Sequence, residues 1–146
     1  MRLVGPSARR GNRRKGASAV EFAVILPVLL LIVVGCVDFG RVMYLAIALT
    51  NSARAGAEYG IMNPYTSAQQ GAWQSQIQQT AQNEMAQQTG YDPSKLSTSV
   101  TVTIESTGLR RVRVQATYTS FQTLVSWPGI PHTLTLQRAI EMRVIR

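Results

Sequence analysis

Gly16 and Glu21 are the residues whose types and spacing speak most directly of chemistry in this chain. The stretch Lys15-Gly16-Ala17-Ser18-Ala19-Val20-Glu21-Phe22 closes a wholly basic leader with a glycine and heads an apolar run with a lone glutamate. Sixteen uncharged residues, Phe22 to Val37, then separate Glu21 from Asp38. A carboxylate near hydrocarbon costs roughly 2.5 to 3.5 kcal/mol on translocon scales and more in simulations of charged side chains, so an acid there reads as functional by default. The glycine before it reads as a cutting point.

No second kind of chemistry competes. There is no Gly-x-Ser-x-Gly, no phosphate-cradling glycine loop and no Cys/His cluster. Glu58, Glu84, Asp92, Glu105 and Glu141 are scattered without the spacing of an acid/base pair. Cys36 is the only cysteine, which leaves no intrachain disulfide. His132 is the only histidine, and a metal site needs more ligands than one. The expectation is a protein that is not an enzyme, with no catalytic residue, cofactor or metal.

Gly16-Ala17-Ser18-Ala19-Val20-Glu21-Phe22 resembles the processing site of class III (type IV-like) prepilins. Asp38-Phe39-Gly40-Arg41, followed by Ala53-Arg54-Ala55-Gly56, resembles the TadE-like minor pilins, or pseudopilins, of the tight-adherence (Flp) pilus system. The closing pattern of strands is similar too, so the likeness covers nearly the whole chain. The resemblance implies that an inner-membrane aspartyl prepilin peptidase cuts after Gly16 and leaves Glu21 as the fifth mature residue. It assigns Gly16, Ala17, Glu21 and Phe22 to processing. Subunit packing falls to Glu21, Pro27, Asp38, Phe39, Gly40, Arg41, Gly56 and Gly60. In related pilins the carboxylate answers the ammonium freed by cleavage, here that of Ala17, on the same or a neighbouring subunit. Such a pair offsets part of the desolvation cost and fixes axial register. The plainer alternative is that Glu21 snorkels to the headgroups. The implied partners are the peptidase, other minor and major pilins, an inner-membrane assembly platform and membrane lipid. The implied role is assembly of an adhesive pilus.

The distribution of charge agrees with that placement. The chain has 146 residues and a formal charge of +8, but six of its fifteen basic residues lie in the first sixteen positions, which hold no acid. Without residues 1–16, nine basic residues face seven acidic ones. The leader reads as a cytoplasmic anchor under the positive-inside rule, which puts the C-terminal part outside a bacterial inner membrane crossed once. A nucleic-acid-binding arm is the rival reading of Arg10-Gly11-Asn12-Arg13-Arg14-Lys15, and the apolar run just beyond argues against it.

From Ala17 to about Gly60 only Pro27 interrupts a helical pattern. The 21 residues Ala17–Val37 would span ~31 Å, matching a hydrocarbon core of about 30 Å. Pro27 removes an N–H and should kink or loosen the helix. Beyond Asp38, the residues Phe39, Val42, Ala46, Leu49, Ala53, Gly56 and Gly60 step by three and four along one face. Ser52, Gly56 and Gly60 repeat the small-x-x-x-small spacing that admits close backbones. The first half of this stripe reads as a helix–helix contact and the second as a platform for a sheet. Asp38 and Arg41 read as a solvated pair at the membrane's outer edge.

Asn63-Pro64 should end that helix. Residues 67–89 hold nine glutamines around a seam of Trp73, Ile77, Ala81 and Met85, which predicts a second helix capped by Gly90. Three alternating segments follow: Val100, Val102, Ile104; Val112, Val114, Ala116, Tyr118 with Arg111 and Arg113 opposite; and Leu134, Leu136, Ile140, Met142, Val144, interrupted by Arg138. Thr107-Gly108 marks a turn, and 120–132 a loop with an apolar tip at Trp127. The fold class is α+β: a long transmembrane and amphipathic helix, a Gln-rich helix and a three-stranded antiparallel sheet. The division is leader 1–16, membrane helix 17–37, amphipathic extension 38–62 and extracytoplasmic domain 63–146.

Two other readings remain. Val33-Val34-Gly35-Cys36 satisfies a loose lipobox, which would make the protein a lipoprotein anchored through Cys36. A membrane-anchored adhesin would instead touch a ligand with the Trp127 loop. A secretory signal cut at Ala46-Ile47-Ala48 is weakened by the intervening Asp38 and Arg41.

Overall fold

The computed structural model describes residues 12–106, 108–126 and 129–144, with side chains from Gly16 onward. Its elements are α1 (Asn12–Met62), α2 (Gln70–Ala86), β1 (Leu96–Ile104), β2 (Arg110–Gln122) and β3 (Thr133–Arg143). The class is α+β, as the alternation of residue types predicts. Backbone contacts divide the chain at Val37/Asp38, where the uncharged run ends.

In the first unit, α1 is already helical at Asn12, ahead of the expected start at Ala17. Arg13, Arg14 and Lys15 are good helix formers, and nothing in that turn breaks the pattern. The helix continues through Pro27. Every large apolar side chain from Val20 to Val33 is exposed, between 39% and 70%. The segment is long and apolar enough to cross a membrane, and none of it is buried by protein.

In the second unit, α1 keeps its helix but changes its surface. The buried face runs through Asp38, Ala46, Leu49, Ser52, Ala53, Gly56 and Gly60, with Val42 and Leu45 partly buried beside it. Phe39, expected on that face, is instead 64% exposed. The row is anchored on Asp38, and one residue further on is about 100° round the helix. The helix ends at Met62, where the Asn63 N–H and side-chain amide both donate to the Tyr59 carbonyl at 3.0 Å.

The small-residue half of α1, read as a platform for the sheet, carries α2 as well: a Cβ on Gly56 would sit 3.3 Å from Ala81 Cβ and from Ile77 Cγ2. Ser52 Oγ donates 2.8 Å to the Ala81 carbonyl across the same contact. At Gly60 the helix meets α2 and β2 together, 3.0 Å from both Ile77 Cδ1 and Val112 Cγ1. Glycine costs roughly 1 kcal/mol against alanine in a helix interior, and here it permits an approach that alanine would crowd. The α2 seam is as read: Trp73, Ile77, Ala81 and Met85 are its buried residues. Trp73 Nε1 donates 2.7 Å to the Asn63 carbonyl, and its ring packs 4.3 Å from Tyr65.

Gly90 does not cap α2. The helix stops at Ala86 with Gln87 as its cap residue. Gly90 takes φ +78° in the following turn, closed by Tyr91 N–H to the Gln88 carbonyl at 3.3 Å. Such a turn needs a left-handed residue, which glycine supplies without a Cβ clash.

The sheet order is β1-β2-β3, antiparallel throughout. Val112, Val114, Ala116 and Tyr118 are buried on the central strand. Ile104, expected on that face of β1, is 69% exposed at the strand's end. The expected loop at 120 begins later. A bulge places Thr119 and Ser120 between the pairs Tyr118↔Leu136 and Phe121↔Leu134, with Ser120 at φ +59°. One extra residue reverses the alternation. Phe121 and Thr123 therefore turn inward, at 9% and 7% exposure. Thr107 and the Trp127-Pro128 tip lie outside the described residues.

Gly60→Ala should destabilise the protein by roughly 1 to 3 kcal/mol through overpacking. Gly40→Ala, where a Cβ meets nothing within 4 Å, should be neutral or gain up to about 1 kcal/mol in helix propensity. Thermal unfolding of the two variants in detergent separates them, and an unchanged midpoint for Gly60→Ala would contradict the close three-element contact.

Candidate processing and packing site

The segment Gly16–Phe22 lies on α1 with every residue exposed. A Cβ on Gly16 would meet nothing within 4 Å. Glycine is therefore not required there by packing within the chain. Among the described residues Glu21 forms no hydrogen bond or ion pair, and its neighbours Val20 and Phe22 are 66% and 59% exposed. A carboxylate so placed keeps its full acceptor capacity.

Asp38 and Arg41 are not a solvated pair. Asp38 is 5% exposed, and its two oxygens accept the Leu124 N–H at 2.9 and 3.1 Å. Arg41 Nη1 lies 3.4 Å from Asp38 Oδ1 and 3.5 Å from the Gln122 carbonyl. Its guanidinium stands 5.1 Å from the centre of the Phe121 ring. Buried charges persist when paired and hydrogen-bonded, and this one has both. The pair clasps the start of the domain's helix to the chain leaving β2. At the same point Thr123 N–H donates to the His132 carbonyl at 3.1 Å, and Thr123 Oγ1 lies 3.1 Å from His132 Nδ1. The lone histidine is thus part of the loop's closure. The remaining motif residues divide. Phe39 and Gly40 are exposed, whereas Gly56 and Gly60 are filled by the chain's own α2 and β2.

Sequence spacing missed one cluster. Glu105, at the end of β1, is bonded by both Arg111 and Arg143, and Arg111 also reaches Glu141 at 2.9 Å. Pairing of the strands sets Arg111 opposite Arg143, so a carboxylate between them relieves like-charge repulsion. Hydrogen bonds from Arg143 and Arg111 pull the Glu105 carboxyl down from 4.5 to about 2. A group held so firmly ionised suits a clamp across three strands. The outward-facing arginines of β2 were the available signal, but the cross-strand register was not. Among the described residues no three His, Cys, Asp or Glu are grouped as metal ligands.

The long apolar helix is compatible with membrane anchoring, and an α+β domain follows it in the chain. Residues 16–58 match the family model described as TadE-like protein, consistent with a TadE-like protein of the Tad pilus system. The match starts at Gly16 and ends before α2, so the sheet lies beyond it. No curated protein and no solved structure matches the chain.

Asp38→Ala should cost about 1 to 3 kcal/mol, the usual range for a buried N–H left without an acceptor. Asp38→Asn, which keeps one acceptor oxygen, should cost less. Protease nicking within 123–132 reads the difference, and equal protection in Asp38→Ala would exclude the clasp. The Glu105 pKa is lowered on folding, so its contribution to stability is complete above about pH 4.5 and is lost as pH falls towards about 2. Acid unfolding of Glu105→Gln should be flatter than wild type across that window.

Proposed function

We propose that the protein is a minor pilin, or pseudopilin, whose leader is removed after Gly16 by prepilin peptidase before the subunit joins assembly of a Tad/Flp adhesive pilus. The observation that carries this reading is the family match that opens at Gly16, with Glu21, which has no partner among the described residues, heading the exposed apolar part of α1. Assembly rather than turnover is the mechanism. The apolar segment stores the subunit in the inner membrane, with the basic leader cytoplasmic and the domain outside. Cleavage frees the Ala17 amine within reach of a carboxylate that has no other partner among the described residues. Other pilins and the assembly platform then draw the helix into a complex, and the sheet domain travels with it.

The alternative of lipidation at Cys36 is less consistent with the packing. Cys36 is exposed on α1, and the clasp at Asp38 follows two residues later. An acyl anchor there would leave no tether between lipid and domain. Glu21 would also have no role.

Gly16→Val should block processing and leave the full-length chain in the membrane. Glu21→Ala should be processed normally yet assemble poorly. Immunoblots of cell membranes and sheared pili read both steps. Normal pili from Glu21→Ala would contradict the pairing of carboxylate and new amine.

A further inference from the structure

β3 is an edge strand: it pairs with β2 on one side only. On the opposite edge of the sheet, Gln78 Nε2 of α2 donates to the Thr98 carbonyl of β1 at 3.1 Å. No such cover reaches the outer edge of β3 among the described residues. The core-facing row of β3 is Leu134, Leu136, Arg138, Ile140 and Met142, paired with β2 at Phe121, Tyr118, Ala116, Val114 and Val112. The β2 row is buried, from 0% to 9% exposure, while the four apolar members of the β3 row are only half-buried. Arg138 stands in the middle of that row and is exposed. No ion pair includes it among the described residues, and its one hydrogen bond there is a long one, 3.4 Å to the Gln137 carbonyl. The arginines of the outer face at Arg111 and Arg143 are by contrast saturated with carboxylates.

A second copy paired through the same strand does not complete this row. Two β3 strands joined antiparallel with their apolar rows on the same side bring even-numbered positions against even-numbered ones. Those positions offer four apolar residues and Arg138, and no acid. An inward-pointing charge on an edge strand guards against such pairing. A phosphate or headgroup would neutralise the guanidinium but leave the strand's backbone and apolar row uncovered. We propose that β3 is a docking edge for an extended segment of a different protein, added as a fourth strand, whose inward row carries a carboxylate between apolar residues to meet Arg138. Main-chain hydrogen bonds supply affinity in strand addition and the alternate side chains supply choice. Arg138 both excludes self-pairing and selects an acidic strand. This surface does not depend on processing at Gly16.

The test uses the full chain in detergent micelles and a labelled peptide, Val-Thr-Val-Thr-Glu-Thr-Val-Thr-Val, with a control carrying Lys in place of Glu. The Glu peptide should bind wild type roughly tenfold more tightly than the Lys peptide, close to the lower end of the couplings measured for interfacial charge pairs. Arg138→Glu, a change at an exposed position, should reverse that order. N-methylation of the peptide along its pairing edge should abolish binding. Arg138→Leu should add self-association that wild type lacks, seen by crosslinking. Equal affinities, an order unchanged in Arg138→Glu, binding that survives N-methylation, or no binding to wild type would each overturn the proposal.

Discussion

The Asp38 carboxylate is the first charge after an uncharged run of sixteen residues, and it holds a backbone N–H eighty-six positions further along the chain. The folded unit begins at that residue. A helix that is apolar all round suits lipid, whereas one packed on a sheet must confine its apolar and small residues to one face. Asp38 marks the change on one continuous element. Buried, it requires the Leu124 N–H and Arg41. Those partners in turn hold the chain just after β2, where the bulge has turned Phe121 towards the core and under the Arg41 guanidinium.

From that clasp the domain's construction follows the size of side chains on α1. Leu49 supplies bulk, and the face then thins through Ser52, Ala53, Gly56, Ala57 and Gly60, all buried. The taper lets α2 and the central strand converge on the last turns of the helix. The seam of α2 fills the space thus created, with Ile77 at its centre and fully buried. On the face of the sheet turned away from the helices, polar groups tie the strands together through Glu105 and two arginines. Packing therefore secures the sheet where it meets the helices, and charge secures its far face.

Much of this was legible in the residue types. The four-residue spacing of Trp73, Ile77, Ala81 and Met85 gave α2 and its buried face together, because a seam has one helical solution. The alternation of Val112 to Tyr118 gave the central strand for the same reason. What stayed hidden depended on contacts distant in sequence. Asp38 looked solvated because its acceptor role needs Leu124, and Phe39 looked buried because a stripe drawn from spacing alone has no fixed origin. Phe121 was hidden by the bulge that breaks the period just before it. Glu105 became meaningful only once strand register set two arginines beside it. At the candidate site the signal is local: Gly16 closes a basic run, and Glu21 stands alone among small and apolar residues.

In the proposed function those two residues act as one device: a cut after Gly16 would make an amine for Glu21 to meet. The most direct test is the mass of the N-terminal peptide of the membrane-extracted protein, from cells with and without active prepilin peptidase. The account predicts Ala17 as the first residue when the peptidase is active, and the full leader when it is not. A lipidated Cys36, or an intact leader in the presence of active peptidase, would contradict it.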